Sequence, residues 1–187
     1  ARAVREHWLV GKLGEALRQV KGAYSLVVMS FNRLIAVRDP FGIRPLSLGR
    51  IGSKTYVVAS ETCAFDLLGA QFVRDIEPGE ILEITPEGEL QSVHCLGPAQ
   101  PAFCVFEYIY FSRPDSVVNG SNIYLVRKRL GAELAKEHPA QADVVVPVPD
   151  SGVPAALGYA QQAGLPMEFG LIRNHYVGRT FIEPKQS

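Results

Sequence analysis

Apolar positions near helical spacing open the chain: Val4, Trp8, Leu9, Leu13, Ala16 and Leu17 fall close to one face, and Lys21-Gly22 stops the run. The pattern predicts a helix up to about Val20. The period then shortens. Ala23–Ser30, Arg33–Arg38 and Thr55–Ala59 are short runs rich in Val, Ile, Leu and Tyr, parted by Asn32, "DPFG" and "RIGSK", and they predict an antiparallel sheet. A helix around Thr62–Leu68 follows, then "EPGEILEITPEGELQSV", whose Pro-Gly and Glu-Gly turns separate two more strands at a sheet edge. Residues 94–102, "HCLGPAQPA", lack periodicity and read as a linker between domains. Beyond it come an aromatic stretch, Phe103–Phe111, a helix Ile123–Glu137, a strand Val144–Val148, a helix Val153–Ala163 and a strand near Phe169–Ile172. The fold class is α+β followed by α/β, with a parallel sheet beginning in the second part.

Composition narrows the classes. The 187 residues carry 19 Lys+Arg against 19 Asp+Glu, so no overall field favours nucleic acid or an anionic membrane surface. The longest apolar runs fall far short of a bilayer span, and residues 1–20 hold Arg2, Arg5, Glu6, Lys12 and Glu15 where a secretory leader needs an apolar core. A cytoplasmic protein is expected. Cys63, Cys95 and Cys104 form no Cys-x-x-Cys pair, which suits reduced thiols rather than a disulfide framework or a self-contained zinc site.

The junction "PVPDSGVPAALGYA", residues 147–160, joins a strand to a helix through Asp150, Ser151 and Gly152. Backbone N–H groups at a helix start, with the helix dipole behind them, favour phosphate. Asp150 and Ser151 add groups suited to a hydrated Mg²⁺, and Gly152 permits close backbone approach. The plainer reading is that Asp150 or Ser151 is an N-cap. Likewise Phe106, Tyr108 and Tyr110 alternate as a strand facing a core would. Asp39 and Arg44 read as clamps of the turn between strands.

"VKGAYSLVVM", "AVRDPFGIRPLSLGR", "VVASETCAFD", "VRDIEPGEI", "FEYIYFSRPDS" and "NHYVGRTFI" occur in this order, and together they resemble the amidophosphoribosyltransferases. "RDPFGIRPL" alone is shared with the glutaminase domain of asparagine synthetases; "FEYIYFSRPDS" and "YVGRTFI" are the more specific strings. The resemblance implies the C-terminal part of an N-terminal-nucleophile glutaminase, an αββα sandwich, over residues 1–93. It implies a linker at 94–102 and the N-terminal part of a type I phosphoribosyltransferase domain over 103–187. The implied reaction hydrolyses glutamine to glutamate and ammonia, and ammonia then displaces pyrophosphate from phosphoribosylpyrophosphate to give phosphoribosylamine, the first committed step of purine synthesis.

Residue by residue, the resemblance implies a pyrophosphate loop at Asp150, Ser151 and Gly152, with Ser151 contacting Mg²⁺. It implies a flexible loop and ammonia channel at Phe106, Tyr110, Tyr176, Arg179, Phe181 and Ile182. Cys104 matches the first ligand of the [4Fe–4S] cluster of one branch of the family; read by itself it is a small buried thiol. Purine nucleotides as feedback inhibitors and a homo-oligomeric state are implied as well. His175 stands where the family usually has arginine, exchanging a permanent charge for an imidazole.

The family's N-terminal cysteine nucleophile and its Asp-Asp-Ser-Ile-Val-Arg-Gly-Thr-Thr signature have no counterpart in these residues. The chain therefore reads as an internal fragment without activity of its own and with no catalytic residue. Two alternatives stay open: a glutaminase of asparagine-synthetase type fused to something else, and a non-catalytic remnant that senses phosphorylated ribose or nucleotides.

Overall fold

The computed structural model describes residues 8–176. They divide into two compact units, the first ending at Ile123 and the second beginning at Tyr124.

Helix α1, Trp8–Leu17, turns Val10, Gly14 and Leu17 inward at the spacing of one helical face. Strands β1 (Ser25–Ser30), β2 (Arg33–Arg38), β6 (Glu80–Ile84) and β7 (Leu90–His94) form an antiparallel sheet in the order β1-β2-β6-β7. Strands β3 (Ser47–Ile51), β4 (Thr55–Ala59) and β5 (Gln71–Asp75) form a second antiparallel sheet, ordered β4-β3-β5. Side-chain alternation sets the layers. Ile35, Val37 and Ile81 point one way and pack with Val10 and Leu17 of α1. Their neighbours Ala36 and Leu82 point the other way and pack with Leu48 of β3, beside Tyr56 and Val58. Each fully buried Leu or Ile here contributes about 1.5–3 kcal/mol.

On the far side of the second sheet lies α2, Cys63–Leu68, whose Phe65 is 1% exposed. Its ring sits where a Cβ on Gly49 would be, at 2.8 Å, so glycine is required in the middle of β3. Helix, sheet, sheet and helix are thus stacked in that order. The apolar pattern does not mark β3 or β5, whereas β7 closes the first sheet at its edge as expected.

The predicted linker is no free spacer. Gln100, Ala102 and Cys104 donate their N–H groups to the carbonyls of Pro40, Phe41 and Ile43, at 3.0, 2.7 and 3.0 Å. Residues 100–104 are thereby laced to the "DPFG" loop, and the compact unit runs on to Ile123 instead of closing at 93. The aromatic stretch is not a strand either. Glu107–Phe111 form a π turn, closed by the Ser112 N–H on the Glu107 carbonyl at 3.2 Å. A two-residue hairpin, β8 (Val117–Val118) and β9 (Ser121–Asn122), follows, with Asn119 and Gly120 both at positive φ as a type I′ turn requires.

In the second unit, α3 (Ile123–Glu137) and α4 (Val153–Ala163) keep the predicted bounds. They meet backbone to backbone: a Cβ on Gly131 would lie 1.8 Å from the Ala155 carbonyl oxygen, and one on Gly158 1.9 Å from that of Lys128. The strand expected at Val144–Val148 is reduced to one parallel bridge, Val145 to Met167, and Phe169–Ile172 forms no strand. Strand structure needs a ladder on at least one side, and here the ladder is two backbone bonds long, Val145 N–H to Pro166 and Glu168 N–H to Val145.

Candidate functional site

Three places in the fold carry chemistry, and the first is the start of α4. Gly152 is its N-cap, with no side-chain cap bond, so neither Asp150 nor Ser151 serves as the N-cap that the plainer reading allowed. The Pro149–Asp150 peptide is cis. A Cβ on Gly152 would come within 2.6 Å of the Val148 carbonyl oxygen, which explains glycine at a residue whose φ is an ordinary −76°. Ser151 is half-buried; Asp150 is exposed, and its carboxylate accepts a hydrogen bond from Arg173 at 3.1 Å. A carboxylate and a hydroxyl thus share one loop at a helix start, an oxygen set that fits a hydrated metal ion; of the N–H groups there, Gly152 donates to the Val148 carbonyl and Val153 to that of Asp150, at 3.2 and 3.3 Å, and Pro154 has none.

The second is the π turn. Glu107 is 1% exposed, and its carboxylate pairs with the Arg44 guanidinium while accepting the Ser112 hydroxyl at 2.7 Å. Arg44 also stacks on Phe111, 4.3 Å from the ring centroid. Phe111 in turn touches Phe106 and Tyr110, each with centroids 6.1 Å away. Phe106, Tyr110 and Phe111 are about half exposed, so burial alone does not fix them. The sequence reading of Arg44 as a local turn clamp is corrected here: Arg38 and Asp39 hold the turn. Arg38 donates to the carbonyls of Arg44, Ile76 and Gly42, and Asp39 accepts the Phe41 N–H at 2.9 Å. Burial lowers the Arg38 pKa from its ordinary value, with Asp75 and Asp39 working against the shift.

The third is a cavity of about 290 Å³ under α2, reached by Asp66, Asp75 and Asp115 and walled by Phe65, Phe72 and Val117. Asp75 accepts the Ser47 hydroxyl at 2.7 Å and Asp115 pairs with Arg113 at 2.9 Å. That pairing holds the Asp115 carboxyl below its usual value. Among the described residues no three His, Cys, Asp or Glu side chains converge as a metal site would need.

Cys104 is a free thiol of intermediate exposure rather than a buried one, because Val105 and Phe106 beside it face outward. Cys63 and Cys95 are free as well. Tyr176 is fully exposed, its N–H bonded to Asn174 Oδ1 at 3.0 Å. Arg179, Phe181 and Ile182 lie outside the described residues. Sequence reasoning missed Glu107 as the buried partner of Arg44, since nothing local marks a pair 63 positions apart.

Comparison with known proteins fits this arrangement. Residues 3–66 match the family described as glutamine amidotransferase domain, which sets the class. Relatives extend it past residue 66. The amidophosphoribosyltransferase of Rhizobium etli is 56% identical over 177 residues, covering 92% of this chain and 35% of the relative. That of Methanothermobacter thermautotrophicus is 55% identical over 168 residues, covering 90% and 35%. A solved structure of the glutamine phosphoribosylpyrophosphate amidotransferase from B. subtilis, complexed with ADP and GMP, superposes with a TM-score of 0.86 at 50% identity, over 95% of this chain and 39% of that one. The chain belongs to the amidophosphoribosyltransferase family, and it spans about a third of the length of the curated relatives it matches. Among the described residues no helix is long and apolar enough to cross a membrane.

Proposed function

We propose that this chain works as part of an amidophosphoribosyltransferase. Water cleaves the glutamine amide to glutamate and ammonia; the ammonia lone pair then attacks C1 of phosphoribosylpyrophosphate, the C1–oxygen bond breaks, and pyrophosphate leaves with the bonding electrons. The observation that carries the reading is the 56% identity over 92% of the chain, which extends well past the amidotransferase match at residues 3–66. In fold terms, the helix–sheet–sheet–helix unit is the αββα layer of an N-terminal-nucleophile glutaminase, and the unit from Tyr124 onward opens a phosphoribosyltransferase domain of type I.

In this reading Asp150, Ser151 and Gly152 face pyrophosphate. Their carboxylate, hydroxyl and backbone would hold Mg²⁺, which supplies charge neutralisation to the leaving group. The positive end of the α4 dipole supports the anion. Phe106 and Tyr110 form the apolar wall past which ammonia travels unprotonated; family resemblance gives Tyr176, Arg179, Phe181 and Ile182 a share in ammonia transfer, the last three lying outside the described residues. Cys104 is a cluster ligand only if three further thiolates come from outside the described residues. Purine nucleotides bind as regulators, a reading supported by the B. subtilis relative's being complexed with ADP and GMP.

The test is direct: the full-length protein, given glutamine, Mg²⁺ and phosphoribosylpyrophosphate, should form glutamate and phosphoribosylamine in equal amounts. Glutamate without phosphoribosylamine would overturn the transferase assignment. A protein that binds phosphoribosylpyrophosphate or nucleotides and turns over neither substrate would be the non-catalytic sensor instead.

A further inference from the structure

We propose that Arg44 and Glu107 are a positioning pair for nitrogen transfer, holding the aromatic wall of the ammonia path in place from the glutaminase side. The inference rests on the proposed function above and assigns a task to two residues that contact neither substrate in it.

The geometry is a chain of fixed contacts. Arg44 sits at the end of a loop whose Gly42 and Arg44 carbonyls are held by Arg38 at 3.0 and 2.9 Å and whose Phe41 N–H is held by Asp39. Its guanidinium uses the Nε edge on Glu107 and its face on Phe111, a double grip available to a planar cation and not to an ammonium. Phe111 meets both Phe106 and Tyr110. These three rings are about half exposed, so their orientation depends on what holds the turn. Glu107 is that hold: a carboxylate almost wholly buried in the π turn, with Arg44 and the Ser112 hydroxyl on its two oxygens. The carbonyls of Pro40, Phe41 and Ile43 bind the backbone just before it, so register between loop and turn is fixed independently of the ion pair. Losing the pair should therefore free the rings without detaching the segment. Loose rings admit water, and water protonates ammonia before it reacts.

Arg44→Met, Arg44→Lys and Glu107→Gln in the full-length protein test this by three measurements: glutamate formed, phosphoribosylamine formed, and phosphoribosylamine formed from external ammonium without glutamine. Arg44→Lys keeps the charge and is the variant safest for folding; it loses the stacked plane. The expected result is a glutamate-to-phosphoribosylamine ratio rising from unity to about 3 or more, with synthesis from external ammonium near wild type, because a small misplacement suffices to spoil delivery. A ratio that stays at unity in Arg44→Lys and Arg44→Met overturns the inference while leaving the function intact. Equal loss of synthesis from glutamine and from ammonium also overturns it, since that marks a general structural role. A wild-type protein that makes no phosphoribosylamine from either nitrogen source removes the underlying reading and the inference with it.

Discussion

Arg74 of β5 grips Glu80 of β6 with both ends of its guanidinium, at 2.8 and 2.6 Å, and so pins one sheet of the first unit to the other. Glu80 is 1% exposed and also accepts the Ser92 hydroxyl and the Glu77 N–H. Burial pushes its carboxyl upward, but the Arg74, Ser92 and Glu77 bonds together outweigh burial and leave it below its ordinary value. Glu80 therefore contributes stability above the ordinary Glu pKa, about 4.3, and loses it as pH falls through the lowered folded value. Arg74→Met strands the buried carboxylate. It should cost about 2–3 kcal/mol at pH 7, below the ~3–5 kcal/mol of a fully buried pair because Arg74 stays a third exposed. Urea unfolding at descending pH should show that cost shrinking toward acid, and a pH-independent difference would contradict the pairing argument.

Two glycines of helices predict opposite signs. Gly158 of α4 lies against the Lys128 backbone, where no rotamer change can relieve a Cβ 1.9 Å from the carbonyl oxygen, so Gly158→Ala must part α3 from α4. A loss of about 2 kcal/mol or more is expected, together with weaker phosphoribosylpyrophosphate binding if the Asp150–Gly152 loop leading into α4 faces that ligand as proposed. Gly11 in α1 has open space around its Cβ position. There the same substitution should stabilise by up to ~1 kcal/mol through helix propensity alone. Thermal melts of both variants check the contrast, and it fails if they shift in the same direction.

Glu61 and Thr62 precede α2 and hold the chain that leaves the π turn. Glu61 accepts the Arg113 N–H and the Ser116 hydroxyl, each at 2.7 Å, and Thr62 Oγ1 accepts the Val117 N–H at 2.8 Å. Glu61→Ala removes two of these bonds at once, so limited proteolysis should begin to cut within residues 112–118, where the wild type resists. Unchanged cleavage would show that the hairpin holds the segment unaided.

How much of this was legible in the sequence varies with the physics behind each element. Helices α3 and α4 were readable because their apolar spacing and flanking Pro and Gly are local signals. Strand β3 was not, since its centre is Gly49, chosen for the Phe65 ring of a helix that comes later. Phe106, Tyr108 and Tyr110 alternate as a strand would, yet Glu107 in between is the buried member. Its partner lies on another element, so periodicity misled. Asn119-Gly120 was a hairpin signal open to reading. The Asp150–Gly152 loop stood out as a candidate because Asp, Ser and Gly just before a helix are local chemistry; the Arg173 contact to Asp150 was not local and was missed.

That loop supplies the last expectation. Gly152 N-caps α4, and the helix start is left without a side-chain cap, so Ser151 is free to serve a ligand instead of the helix. If its hydroxyl completes the Mg²⁺–pyrophosphate contact, Ser151→Ala removes about one hydrogen-bond equivalent, ~1 kcal/mol, and should raise the apparent Mg²⁺–phosphoribosylpyrophosphate requirement about 5-fold. Glutamine hydrolysis measured without phosphoribosylpyrophosphate should not change, because Ser151 lies in the second unit and the amidotransferase match in the first. Gly152→Ala should do more harm than Ser151→Ala: its Cβ meets the Val148 carbonyl oxygen at 2.6 Å and shifts the whole loop. Titrating Mg²⁺ at several fixed phosphoribosylpyrophosphate concentrations in both variants separates the two effects. An unaltered requirement in Ser151→Ala would remove Ser151 from the metal site, and a Gly152→Ala protein as active as wild type would remove the loop from the transferase site altogether.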